Sequence, residues 1–379
     1  MAEVSRGPFR SSPAPIRLLA VAVKRAFLVL FAVFVAIGVI LAWFVFGPSE
    51  IEPIAWTPQP APLLTGQYAQ NSLLSLKLYT TDGLIGPEDI ARDSEGRFYT
   101  GVVDGRIVRF KEDMQFSTFA NTGGRPLGME FDAQGNLIVC DAHKGLLSID
   151  PKGAITTLTT EEGGVKFGFT DDLAIAKDGT IYFTDASYKF HAPNYLADLM
   201  EHRGNGKFLK YDPATKTTTK LIGDLCFANG VALAPDESFV LVNETWNYRV
   251  LRYWLTGEKK ETWDVFIDNL PGFPDNITSN GKGTFWLALA NPRNPVADTL
   301  APYPRVRRAL WKLPKALHPK AVRYSFVLGL DKDGKVIRNL QNPSGQLAPV
   351  TSVNEYDGKL YLGSVEDAQF GVFDLGLLK

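Results

Sequence analysis

Phe227 to Leu255, FANGVALAPDESFVLVNETWNYRVLRYWL, is the stretch on which the fold turns. Apolar residues alternate on either side of a polar turn at Pro235-Asp236-Glu237. Val250 and Leu251 resume the pattern after Trp246-Asn247-Tyr248, so the segment reads as two or three short strands. The layout recurs in GPEDIARDSEGRFYTGVVDGRIVRF (Gly86–Phe110), GRPLGMEFDAQGNLIVCDAHKGLLSID (Gly124–Asp150) and GFTDDLAIAKDGTIYFTDAS (Gly168–Ser187). FPDNITSNGKGTFWLALA (Phe273–Ala290) and APVTSVNEYDGKLYLGSVEDAQFGVFDL (Ala348–Leu375) bring the set to six. Six units over 290 residues, about 48 each, have the size of four-stranded blades. The expected fold is all-β: a six-bladed β-propeller over residues 81–379.

Aligning the repeats on their turns puts Gly96, Gly135, Gly179, Glu237, Gly283 and Gly358 in register. Eight residues before each stand Glu88, Leu127, Asp171, Asn229, Asp275 and Val350. Equivalent positions in a closed ring share radius and height, so the four oxygen-bearing side chains should converge. Three carboxylates and an amide brought together repel one another unless a cation lies between them. Oxygen-only donors favour a hard ion, calcium before magnesium or another divalent ion.

Composition narrows the classes. The 379 residues are 45% hydrophobic with 34 Gly and 24 Pro, which suits a glycine-punctuated β protein. The net charge of −1 offers no basic face for nucleic acid. Two cysteines, Cys140 and Cys226, make neither a disulfide framework nor a zinc site; their apolar contexts read as buried thiols, with one bridge the alternative in an oxidising compartment. A nucleophile elbow, a phosphate loop and a HExxH segment are all missing from the sequence.

The N-terminus is organised differently. Residues 1–25 form a basic tail with Arg6, Arg10, Arg17, Lys24 and Arg25 against Glu3. Residues 26–47 read as a transmembrane anchor, because the uncharged run Ala26–Phe46 spans roughly 30 Å as a helix. That run exceeds the roughly 7–15 apolar residues of a signal peptide and ends in Trp43-Phe44-Val45-Phe46, with no small-residue cleavage site. No basic residue follows Arg25 until Lys77, so the tail is expected in the cytoplasm and the propeller on the extracytoplasmic side, periplasmic, lumenal or extracellular. Residues 48–80 are a proline-spaced linker, expected to be a stiff spacer that lifts the domain off the membrane. Tyr68–Thr80 within it is a candidate outer strand closing the ring. Two inserts, Pro193–Arg203 with helical spacing and the irregular Asn291–Pro319, are expected to shape access to the centre.

GPEDIA, GRPLGM, FTDDLAI, GKFLKYDP, FANGVAL, RVLRYWL and LPGFPDNI together resemble the strictosidine-synthase-like family of six-bladed propellers, which has members with the same N-terminal anchor layout. More distantly, the chain resembles paraoxonases and SMP-30-type gluconolactonases. The resemblance implies a central calcium held by Glu88, Asp171, Asn229 and Asp275, with Asn276 a further ligand and Asp172 a catalytic or supporting neighbour. Asp171 stands where relatives carry Asn. The glutamate base of true strictosidine synthases falls at Thr351, which cannot take a proton from an amine, so alkaloid-forming condensation is not expected. The paraoxonase histidine falls at Leu127. What the resemblance leaves is metal-assisted hydrolysis of a small-molecule ester or lactone, with Asp275 as nucleophile or water-orienting group. The alternative is a non-catalytic propeller that binds a protein or small ligand around a structural ion.

The remaining polar residues have plainer readings. His191 and His202 are expected as exposed loop histidines, and His143 and His318 have no evident partner. Glu244, Arg249 and Arg252 suggest one intra-blade charge cluster. Trp246, Trp254, Trp286 and Phe285 suggest inter-blade packing. Asn243 and Asn276 open glycosylation sequons, of which the second should be unused because it overlaps the proposed ion site.

Overall fold

All six aligned turn residues take a left-handed backbone, from φ 55° at Glu237 to φ 98° at Gly283. These turns join the first and second strands of six successive sheets. The computed structural model describes residues 14–81, 83–111, 113–318 and 320–378. The sheets begin with strands Ala91–Arg92, Pro126–Phe131, Thr170–Ile175, Ala228–Leu233, Gly272–Ser279 and Val353–Tyr356. Each first strand is followed by an antiparallel meander, which makes a six-bladed propeller.

The apolar core is divided among the gaps between blades. Tyr99 and Ile107 of blade one pack with Val139 and Leu147 of blade two, and Phe208 of blade three packs with Val242 of blade four. Phe98 and Phe110 meet Tyr361 and Phe370 where blade six returns to blade one. Both faces of a middle strand are therefore covered, and Phe239–Glu244 is buried along its whole length. Ring closure uses the N-terminal segment. Lys77–Thr80 pairs antiparallel with Gln369–Val372 as the outer strand of the last blade, and Ser72–Leu73 adds a parallel edge to blade five.

Three expectations at the periphery need correction. The first helix, α1 (Ala14–Phe46), extends N-terminally beyond the expected anchor and carries Lys24 and Arg25 within it. Its segment Leu19–Phe46, of mean hydropathy 3.0, is long and apolar enough to cross a membrane. Arg6 and Arg10 lie outside the described residues.

The linker is not a free spacer. Ile51 is fully buried against Phe190 and Ala197, the Glu52 N–H donates to Glu201 Oε2 at 2.7 Å, and the Trp56 indole stacks on His202 at 3.8 Å. Prolines keep this strand of chain extended, and an extended chain presents backbone groups that the rim can bind. The second insert is not irregular either. It folds as α3 (Pro295–Leu300) and α4 (Pro304–Trp311), each opening on a proline at a position where a missing N–H costs nothing. The first insert forms the expected rim helix, α2 (Tyr195–Glu201).

Candidate functional site

Both long inserts join the second and third strands of their blades, so they rise on the rim opposite the aligned turns. The first strands start at that same rim, and there the chain departs from regular pairing. In blade three, Thr170 pairs with Asp185 and Leu173 with Phe183, so Asp171 and Asp172 together oppose Thr184. Blades two, four and five carry the same irregularity at Leu127-Gly128, Asn229-Gly230 and Asp275-Asn276. A bulge bends the strand and re-aims its side chains, which turns the first residue of each pair toward the channel.

Glu88, Leu127, Asp171, Asn229 and Asp275 line one cavity of about 620 Å³. The sixth blade contributes Thr351, while Val350 is buried between blades five and six. The eight-residue count fails there for a local reason. In the other blades the turn-closing residue lies three before the aligned position, as Ala176 does before Gly179. Blade six closes a two-residue Asp357-Gly358 turn with Tyr356 opposite Lys359, so its register is one residue shorter.

Neighbouring blades fix the site residues. Asn276 Nδ2 donates to Glu88 Oε1 at 2.9 Å, and the Asn276 N–H donates to the Thr351 carbonyl at 2.9 Å. Thr184 Oγ1 donates to the Asn229 carbonyl at 2.7 Å, and Asn243 Nδ2 donates to the Asp275 carbonyl. Asp172 faces the blade wall, where its Oδ2 accepts the Val231 N–H at 2.8 Å. Asp89 does the same for Met129 at 3.1 Å. Both carboxylates support strand ends beneath the channel.

The electrostatics are unbalanced. Burial pushes the Glu88 and Asp171 carboxyls well above the usual range, and neighbouring acids push them further. Burial raises Asp275 to about 7 despite a hydrogen bond from Asn229. Asp275 is half-buried: it reaches cavity space while protein surrounds it. Arg125, itself buried, is the cation that counters Glu88, but its guanidinium hydrogen bonds go to the carbonyls of Gly86, Pro126 and Val365. Glu88 Oε2, Asn229 Oδ1 and Asn276 Oδ1 are buried with no hydrogen-bond partner among the described residues. Buried oxygens without donors, set among carboxylates, are what an oxygen-ligated cation would satisfy. Among the described residues no three acidic, histidine or cysteine side chains gather as a closed metal cluster, so any ion here depends on the amide oxygens as well.

Above this floor the walls are aromatic. Phe169, Phe227, Trp246, Tyr248 and Phe273 line the cavity, and α2 and α4 roof it with Met200, Leu310 and Trp311. Trp246 is therefore a wall residue, held by donation from its indole N–H to Asp198 Oδ1 at 3.0 Å. His202 is buried and donates from Nε2 to Asn247 Oδ1 at 3.2 Å, contrary to the expectation of an exposed loop histidine. Arg249 pairs with Glu244 at 2.6 Å, but Arg252 turns to Asp264, because residues three apart on a strand face opposite ways. Both sequon residues, Asn243 and Asn276, are buried in strands and closed to glycosylation. Cys140 and Cys226 are buried free thiols, as their contexts suggested.

Comparison with known proteins settles the ancestry. Adipocyte plasma membrane-associated protein of Bos taurus is 37% identical over 369 residues, covering 90% of this chain and 89% of that protein. Strictosidine synthase-like protein 10 of Arabidopsis thaliana is 39% identical over 331 residues, covering 79% of the chain and 88% of that protein. This chain belongs to the strictosidine synthase-like family. The strictosidine synthase family profile matches residues 171–258, and the strictosidine synthase-like N-terminal profile matches 66–110. Two solved propellers share the fold: a gluconolactonase from Xanthomonas campestris and the calcium-binding protein regucalcin from Agrobacterium tumefaciens. The first has TM-score 0.59 and 18% identity over 86% of this chain and 98% of its own. The second has TM-score 0.56 and 13% identity over 80% and 95%. Within this strictosidine synthase-like chain, Thr351 donates its hydroxyl to the Glu88 carbonyl at 3.1 Å, a structural bond and no base.

Proposed function

We propose that this protein is a membrane-anchored hydrolase of esters or lactones whose channel holds a divalent cation, calcium first. The observation that carries the reading is a set of buried oxygens without partners among the described residues: Glu88 Oε2 and Asn229 Oδ1 on side chains that line the floor of the cavity among carboxylates, and Asn276 Oδ1 behind them on a side chain bonded to Glu88. Glu88, Asp171, Asn229, Asp275 and Asn276 would hold the ion. When bound, such an ion polarises a carbonyl oxygen and keeps its carboxylate ligands ionised.

The residues of the chain do the rest. Asp275, held by Asn229 and open to the cavity, supplies the attacking oxygen, either its own or that of a water it orients. The aromatic wall takes the acyl or aryl part of the substrate and excludes bulk water. Asp172 positions the strand end through Val231. The basic residues ahead of the apolar run favour an anchor with its N-terminus in the cytoplasm and the propeller outside.

Metal analysis of the purified chain, followed by turnover of aryl esters and lactones with and without chelator, tests the reading. Stoichiometric divalent metal and chelator-sensitive turnover are expected. Bound metal without turnover on any of these substrates would instead assign the cavity to ligand binding.

A further inference from the structure

α1 ends where its last carbonyls lack intrahelical partners and carry partial negative charge. Those carbonyls are taken by α4. Lys312 Nζ donates to the carbonyls of Trp43, Phe44 and Gly47 at 2.9, 3.0 and 2.8 Å. Arg308 donates to Gly47 at 3.1 Å, and the Arg305 guanidinium lies 5.7 Å from the Phe46 ring. Residues 305, 308 and 312 recur at helical spacing, so one stripe of α4 grips the end of the anchor. The inner side of the same helix, with Arg307, Leu310 and Trp311, lines the cavity.

The outer side has no partner among the described residues and carries a distinct chemistry. Tyr303 and Val306 are 57% and 47% exposed, Leu317 just beyond is 64% exposed, and Val322, 65% exposed, stands at the cavity mouth. From Thr299 to Leu330 the sequence holds seven basic residues and no Asp or Glu, within a chain of net charge −1. Exposed apolar and aromatic side chains interleaved with cations match the headgroup region of an anionic bilayer. Position agrees with chemistry. The apolar run of α1 stops at Phe46, and α4 is bonded to Gly47, so the helix is held within about a helix diameter, roughly 10 Å, of the level at which the anchor leaves the membrane.

We propose that the outer face of α4, with Leu317 and Val322 beyond it, lies on the anionic lipid surface from which α1 emerges, holding the mouth of the cavity at headgroup depth. This rests on α1 crossing the membrane as stated above, but not on hydrolysis.

The test uses the full chain in phosphatidylcholine vesicles with and without phosphatidylglycerol. Val306→Cys carries an environment-sensitive fluorophore, and a quencher sits on the upper acyl chain of the lipid. Gln134→Cys, in an aligned turn on the opposite face, is the reference, and the native thiols are buried. The expected result is several-fold stronger lipid quenching at 306 than at 134, rising further with phosphatidylglycerol. Lys315→Glu combined with Lys320→Glu, two exposed lysines at the cavity mouth, with the label at 306, should remove that rise. An alkaline wash reports separately on α1. A chain that stays in the bilayer while both labels are quenched equally overturns the proposal and leaves the anchor standing. A chain that washes out overturns both. Shielding at 306 that appears only at high protein-to-lipid ratio would assign the face to a second copy and overturn it too.

Discussion

Asp275 differs from the other candidate ligands in being only half-buried, and its charge is what separates a catalyst from a plugged channel. Asn is nearly isosteric and keeps one oxygen for an ion, and Glu88 and Asp171 still balance a divalent charge. Asp275→Asn should therefore fold and bind metal more weakly, while ester or lactone turnover falls at least ~10²-fold. Steady-state rates on metal-loaded protein check this. A variant that keeps the parent rate would remove Asp275 from the chemistry. His202 makes a different kind of test. Burial, with Arg307 nearby, holds its pKa down to about 3 from the ordinary histidine value of 6.5. The unfolded chain takes up this proton below pH 6.5, whereas the folded chain does not until about pH 3. Stability from a neutral His202 is therefore complete above pH 6.5 and declines as pH falls through that window. Replacing it with Asn, which tolerates the left-handed backbone at φ 52°, should remove about 2 kcal/mol of the pH dependence between pH 7.5 and 5. Chemical denaturation of both proteins at the two pH values measures the difference, and parallel pH profiles would refute the assignment.

The bulges act at the scale of the strand. Each presents two consecutive residues against one partner, so the channel residue and its neighbour can face different tasks. Asp171 looks into the cavity while Asp172 ties down blade four. Blade four has Gly230 in the second place, because the next inner strand passes too close for a side chain. A Cβ there would lie 2.6 Å from Asn276 Cα and from the Asp275 carbonyl oxygen. Gly230→Ala should part blades four and five at the floor of the site, at a cost of about 1–3 kcal/mol. Two readouts should move together: a melting temperature lower by several degrees, and weaker metal binding. Normal metal affinity in the variant would show that the bulges do not set the ligand positions. The rim behaves alike, with the proline-spaced linker extended and bound by Glu201 and Arg293 side chains.

For the molecule as a whole, the ring is a set of apolar layers between blades, with acids at its centre. Concentrated carboxylates oppose folding unless they are protonated or neutralised. An ion that binds only the closed ring should add about 2.7 kcal/mol at 100 times its dissociation constant. For a domain of this size, that raises the melting temperature by a few degrees. Calcium should produce the shift and chelator reverse it, and binding near neutral pH should release protons from the carboxyls whose pKa values burial has raised. Calorimetry in buffers of different ionisation enthalpy reads the proton count. An unchanged melting curve with no proton release would remove the ion from the channel.

Much of this was legible in the amino-acid order because a propeller repeats. Equal turns imply equal radii, and so Gly96, Gly135, Gly179, Glu237 and Gly283 point to Glu88, Leu127, Asp171, Asn229 and Asp275 as channel neighbours from the sequence alone. Local chemistry likewise marked the apolar helix, the burial of Cys140 and Cys226, and the helical rim insert. The sequence did not reveal that blade six closes its turn one residue sooner, since Tyr356-Asp357-Gly358-Lys359 pairs only in the presence of its sheet. Nor did it show His202 stacked on Trp56, or Lys312 bonded to Gly47, 265 residues away. Periodicity reports what each residue does relative to its own strand or helix. Contacts between distant segments follow from how the blades close and where the inserts then lie, and only the tertiary structure decides those.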